Sequence, residues 1–212
     1  MDSIFYKVNG LKIYAFSSKE KLVAFAIDKK KALIAINAHK ILLADDGFRE
    51  LVNNNIGYCD GIGSRMALKR MGSDSAIKIP GCELWLDIVS KLYNKKNFVI
   101  IGSSDNVINR TVSLLKRSYN KINILKFRNG FFNSNHEYEK SIKDIISLKP
   151  DVVFVAMGSP RQESLIARLM EKHSAIYMGL GGSLDVYCGE VKRVPQILQD
   201  IHLEWLYRCF ME

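Results

Sequence analysis

Apolar runs and amphipathic stretches alternate with a regular beat in the second half of the chain. Asn97-Phe-Val-Ile-Ile-Gly-Ser-Ser104 reads as a buried strand running into a turn, and a helix follows from about Asn106 to Tyr119. Ile122 to Phe127 predicts another strand and Glu137 to Leu148 another helix. Asp151-Val-Val-Phe-Val-Ala-Met-Gly158 is the strongest strand, because a continuous apolar run needs cover on both faces. Pro160 suits the first turn of a helix reaching about Glu171, and Ala175 to Gly182 gives a further strand that ends in glycines. This order predicts an α/β fold, a Rossmann-like, mostly parallel sheet flanked by helices.

The first half is less regular. Ala32 to Asn37 reads as a strand, His39 to Asn53 as helical segments, and Ile56 to Cys59 as a short strand ending at Asp60-Gly61. Pro80-Gly81 precedes an amphipathic helix from Glu83 to Leu92, and Val194 to Phe210 is helical in pattern. Each strong strand ends in small or polar residues: Asn37, Asp60, Gly102, Gly158-Ser159, Gly179 to Ser183. Open α/β sheets bind ligands beyond the carboxyl ends of their strands, so these clusters form the candidate site.

Composition narrows the partners. The 212 residues are 48% hydrophobic and 25% charged, the balance of an ordinary globular chain, and one domain over 1–212 is expected. The net charge of +9 favours an anionic partner, whether nucleic acid, an acidic membrane face or a phosphate-bearing substrate. The cations are scattered and no RNA-binding aromatic pattern occurs, which disfavours nucleic acid. The four cysteines are widely spaced and the start lacks a secretory pattern, so a reduced, cytosolic setting is expected. The longest stretch without charge, His173 to Leu184, is far short of a membrane span.

Motifs exclude more than they assign. Gly179-Leu-Gly181-Gly182 departs from the dinucleotide fingerprint at Leu184, Gly61-Ile-Gly63 departs at Met66, and no P-loop exists. Glycines at strand ends still let backbone N–H groups approach a diphosphate, although tight turns explain them equally well. The four histidines show no metal-ligand spacing and no Asp-x-Asp pair occurs. No metal is therefore required; weak magnesium binding through one carboxylate and phosphates stays open. Asp60, at a strand end, can take a proton from a substrate hydroxyl or cap the next helix. Ser159, Arg161 and Gln162 suit phosphate or sugar oxygens, while ordinary capping explains Ser-Pro and Glu163. Lys192-Arg193 can neutralise a diphosphate or simply be solvated. The aromatic stretch Leu203 to Phe210 is either a core helix or a membrane-interface contact.

Taken in order, Ala35-Ile-Asn-Ala38, Cys59-Asp-Gly-Ile62, Pro80-Gly-Cys-Glu-Leu-Trp85, Val155 to Glu163, Tyr177 to Val186, Gly189 to Pro195 and Leu203 to Arg208 resemble the WecG/TagA/CpsF family of bacterial glycosyltransferases. Within it they are most similar to the UDP-N-acetyl-D-mannosaminuronic acid transferases. The resemblance implies the family's GT-E-type architecture and an inverting transfer from a UDP-sugar donor to a polyprenyl-diphosphate-linked saccharide. It places that reaction on the inner face of the cytoplasmic membrane, in surface-polysaccharide assembly. It implies Asp60 as the base and Asn37 as an orienting group beside it. Gly102 and Arg161 fall among the strand-end positions expected to bind substrate, and Gly158, Ser159, Gln162, Gly181, Gly182 and Asp185 match the nucleotide-sugar pocket. Lys192 and Arg193 offset charge on departing UDP.

Three departures stand out. His39 replaces a glutamate common in relatives. Asn129, in Arg128-Asn-Gly-Phe-Phe132, stands where a close relative has Asp. The chain stops soon after Arg208, so the family's membrane-binding appendage is expected to be absent or truncated. The rival expectations are a non-catalytic nucleotide-binding module and a basic nucleic-acid-binding protein.

Overall fold

A computed structural model describes residues 4–191. Its centre is an eight-stranded sheet in the order β1-β2-β4-β3-β8-β7-β5-β6. The strands are β1 (Phe5–Val8), β2 (Leu11–Tyr14), β3 (Ala32–Ile36), β4 (Ile56–Cys59), β5 (Asn97–Gly102), β6 (Asn123–Arg128), β7 (Val152–Ala156) and β8 (Ile176–Gly179). All neighbouring pairs are parallel except β1–β2. That edge hairpin turns at Asn9-Gly10, both at positive φ (46° and 79°), the backbone that a two-residue hairpin turn requires. Apart from this hairpin the sheet is the expected α/β architecture.

Helices cover both faces, as a central strand such as β7, buried at every residue, demands. One face packs against α1 (Lys19–Lys29), α5 (Gly81–Leu92), α6 (Asp105–Ser118) and α9 (Ser183–Tyr187). The other packs against α2 (Ala38–Leu43), α3 (Asp46–Asn53), α4 (Ile62–Arg70), α7 (Asn135–Leu148) and α8 (Arg161–Met170). The helices form where capping and periodicity agree. Ser104 accepts the N–H of Val107 to start α6, whose Val107, Ile108, Thr111, Val112 and Leu115 then face the sheet. None of the described helices is long and apolar enough to cross a membrane.

Several pairs of neighbouring strands hand the chain to opposite faces, and two of them bear on the site. β5 feeds α6 on the first face while β7 feeds α8 on the second. Likewise β8 feeds α9 on the first face and β3 feeds α2 on the second. At such points the departing chains leave a crevice over the strand ends. β3 and β8 also pair through only Ala32↔Tyr177 and Leu33↔Met178, so their carboxyl halves diverge.

Candidate functional site

The β5/β7 crevice is a cleft of about 240 Å³ lined by Ser103, Gly130, Phe131, Ala156, Met157, Gly158, Arg161, Gly181, Gly182 and Asp185. Gly158 (φ +72°) and Gly181 (φ +52°) take backbone conformations that favour glycine, and a Cβ on either would meet open space. Gly182 is different: its φ of −84° suits any residue, and nothing lies within 4 Å of its Cβ position. Neither turn geometry nor internal packing accounts for glycine there. A ligand brought against the main chain would.

Helix α8 begins at the same cleft with Pro160 as its N-cap and no capping side chain. Its first-turn N–H groups carry the positive end of the helix dipole, which suits an anion. Arg161 is exposed at the rim. Across the cleft, Asp185 accepts a hydrogen bond from Ser103 Oγ at 3.0 Å, joining α9 to the end of β5.

Several residues expected to touch substrate have other duties. Gly102 is buried, and a Cβ on it would lie 2.1 Å from the carbonyl oxygen of Ala156, so it is glycine because β5 and β7 close together there. Ser103, the next residue, lines the cleft instead, in a left-handed backbone (φ +54°) that nothing in its residue type announces. Gln162 is buried; its Oε1 accepts the N–H of Gly181 at 2.9 Å and its Nε2 donates to Glu163 at 3.3 Å. It shapes the glycine turn from behind. Ser159 Oγ donates to Glu163 Oε1 at 2.7 Å.

Glu163 is thus a hub rather than a cap. Its Oε1 also accepts Lys40 Nζ at 2.9 Å, in an ion pair whose side chains are 10% and 17% exposed. Burial opposes its ionisation, but Lys40 and the hydrogen bonds from Ser159, Lys40 and Gln162 outweigh it and hold its pKa below the ordinary glutamate value. Sequence reasoning missed this pair because its members are 123 residues apart. Together with Gln162, these two side chains fill the β3/β8 crevice, leaving only about 10 Å³ of void there.

Asp60 continues β4 at the same end of the sheet. Its N–H donates to Ile36 O at 2.9 Å, and its Oδ1 accepts the N–H of Gly81 at 3.3 Å. Asp60 therefore sits at the start of α5, whose N-cap, Pro80, offers no side-chain acceptor; the following helix, α4, has no side-chain cap. Beneath it, Tyr58 is fully buried, and burial, aided by the Asp60 charge, raises its pKa well above normal. Cys59 is inert as a thiol, pushed up to about 11 mainly by burial. Asn37 stands one strand over, where its Oδ1 accepts the N–H of Lys40 at 2.9 Å and caps α2. A Cβ on Gly61 would lie 3.9 Å from Asn37 Cβ, so the Asp60-Gly61 turn and Asn37 are neighbours.

Asp60 and the glycine loops share one lip of the sheet. Along the strand order, β4 is two strands from β8 and three from β7, which at the usual strand spacing is at least about 10 and 14 Å, and more where β3 and β8 diverge. Lys192, Arg193 and the segment Val194 to Phe210 lie outside the described residues. Among the described residues, no three His, Cys, Asp or Glu side chains converge as a metal site.

The model of the glycosyl transferase WecG/TagA/CpsF family matches residues 6–212. The chain belongs to that family. It is also 36% identical over 151 residues to the N-acetylglucosaminyldiphosphoundecaprenol N-acetyl-beta-D-mannosaminyltransferase of Bacillus spizizenii (strain ATCC 23059 / NRRL B-14472 / W23). The shared stretch covers 70% of this chain and 58% of that relative.

Proposed function

We propose that this WecG/TagA/CpsF member is an inverting glycosyltransferase that moves a hexose from a UDP-sugar to a polyprenyl-diphosphate-linked saccharide in bacterial surface-polysaccharide synthesis. An N-acetylmannosamine-type sugar is favoured by the name of the Bacillus relative. One observation carries the reading: an open cleft bordered by main chain, with Asp60 on the same lip about two strands from Gly181. That span suits a donor whose diphosphate rests in the cleft while its sugar points towards Asp60.

In this arrangement the acceptor hydroxyl oxygen attacks the anomeric carbon as its proton passes to the Asp60 carboxylate. The bond from that carbon to the diphosphate oxygen breaks, and UDP leaves with the electron pair. Backbone N–H groups around Gly158 and Gly182, the start of α8 and Arg161 offset the charge that develops on it. Family resemblance gives Lys192 and Arg193 the same task and Asn37 that of orienting a sugar beside the base. These fixed donors take the role that a bridging cation has elsewhere, so no metal is needed. Phe131, 62% exposed, offers an aromatic face at one end of the cleft. A lipid-linked acceptor and a charge of +9 support peripheral binding to the anionic inner face of the cytoplasmic membrane.

The test is a panel of UDP-sugars, including N-acetylmannosamine and its uronate, with a short-chain polyprenyl-diphosphate-GlcNAc acceptor and mass-spectrometric readout. Transfer with inversion is expected, with most turnover retained in EDTA. Loss in EDTA restored by magnesium or manganese would overturn the metal-independent scheme. UDP binding without transfer from any donor would leave a nucleotide-binding module. Salt-sensitive retention of oligonucleotides, uncontested by UDP, would mark a nucleic-acid binder.

A further inference from the structure

The loop after β6 presents an unusual combination. Phe131 is among the most exposed large apolar residues described, yet both of its main-chain polar groups are held by side chains. Its N–H donates to Asn129 Oδ1 at 2.9 Å, and its carbonyl oxygen accepts Arg128 Nη2 at 2.6 Å. The Arg128 guanidinium also donates to the Asn129 carbonyl at 3.0 Å and to Glu137 at 3.1 Å, and lies 3.9 Å over the Phe132 ring. Exposed loop aromatics are ordinarily free to swing. This one is fixed.

Asn129 ties the loop to the sheet. While its Oδ1 holds Phe131, its Nδ2 donates to Asp105 Oδ1 at 2.8 Å, in the first turn of α6 beyond the end of β5. Gly130 adds an N–H bond to Ser103 O at 3.0 Å and packs closely enough that a Cβ would lie 3.1 Å from Gly102 Cα. The carboxamide uses both ends at once, and an aspartate at 129 could not donate to Asp105. It would instead set two carboxylates within hydrogen-bond distance, which repel.

We propose that Asn129 and Asp105 form a latch that presets Phe131 at the mouth of the β5/β7 cleft, so that this pair governs donor affinity and not the chemical step. The assignment rests on the reading of that cleft as the donor site. Holding the main chain under the ring in place beforehand removes the ordering cost that a mobile loop would add to binding. Asn129 and Asp105 are positioning residues, and neither lines the cleft.

The test uses the full chain and three variants, Asn129→Asp, Asp105→Asn and the double exchange. The exchange restores an amide–carboxylate pair with its polarity reversed. In ligand-free protein, hydrogen exchange over residues 129–132 is expected to speed up in Asn129→Asp and to return towards wild type in the double variant. UDP titration calorimetry is expected to show Kd raised about 3- to 10-fold in Asn129→Asp, the worth of one or two lost loop bonds. The double exchange should recover it. Donor KM should follow the same pattern with kcat at saturating donor nearly unchanged. Equal exchange rates in wild type and Asn129→Asp, or no recovery in the double variant, would overturn the latch. Wild-type protein that fails to bind UDP, with the exchange pattern intact, would instead overturn the donor-cleft reading alone.

Discussion

The β5/β7 and β3/β8 crevices share a topological origin and are finished in opposite ways. At β5/β7 the lining is main chain: Gly158, Gly181 and Gly182 face open space and the start of α8 has no side-chain cap. At β3/β8 the space is filled by Gln162, Glu163 and Lys40, whose hydrogen bonds close on one another. Topology provides several places for a ligand, and at these two the side chains decide which stays vacant. The filled crevice also serves the open one, because Gln162 and Glu163 hold the Gly181 turn and Ser159 from behind. Asp60 and Asn37 flank the filled crevice, so the proposed acceptor side rests on that polar plug.

The largest effect is expected from Asp60→Asn, which keeps the shape of the β4 end and removes the proton acceptor. Transfer should fall by about 10²–10⁴, the usual worth of a general base. UDP binding at the other crevice should change less than about twofold, since Asp60 is not among the residues that line it. Steady-state kinetics beside calorimetry separates the two effects. Retained turnover would remove Asp60 as the base, and parallel loss of UDP affinity would show that the two regions are one.

How much of this was legible beforehand follows from the range of the interactions involved. The strands β3 to β8 and all the helices between them except α4 follow from local apolar periodicity, and the strand-end rule led to the end of the sheet where the open cleft lies. The edge hairpin was missed although Asn9-Gly10 is a strong turn signal, because each of its short strands is interrupted by a lysine, unlike the equally short β4 and β8. Within the site, Gly158, Gly181 and Gly182 were identified and do border the cleft. Gly102 looked the same in sequence, but its constraint comes from Ala156, 54 residues away in sequence and reachable only through the sheet. The Glu163–Lys40 hub was invisible for that same reason, and local spacing suggested a helix cap in its place.

Removing the hub charge tests the filled crevice. Glu163→Gln leaves Lys40 without its buried partner, which should cost about 3 kcal/mol at neutral pH. The pH dependence follows from the sign of the shift. Glu163 ionises more readily folded than unfolded, so its contribution is complete above the unfolded value, about 4.3. It fades as pH falls through the lower folded value. The gap in unfolding free energy between wild type and variant should therefore be flat from pH 6 to 8 and narrow below about pH 4. A gap that widens in acid would show that the pair is not ionised as described.

The smallest effect, and the sharpest contrast, comes from two glycines only a few residues apart. Gly179→Ala places a Cβ 2.6 Å from Gln162 Nε2, so it disturbs the plug and should lower stability. Gly182→Ala adds a methyl group to open space at an ordinary φ, so stability should change by less than about 0.5 kcal/mol. UDP affinity should nevertheless fall roughly tenfold, because the methyl group stands where a diphosphate would approach the main chain and weakens its backbone hydrogen bonds. Thermal unfolding and calorimetry on the same samples distinguish the outcomes. If Gly182→Ala bound UDP as wild type does, the open crevice would lose its claim to the diphosphate, and the ligand would have to be sought nearer Asn37 and Asp60.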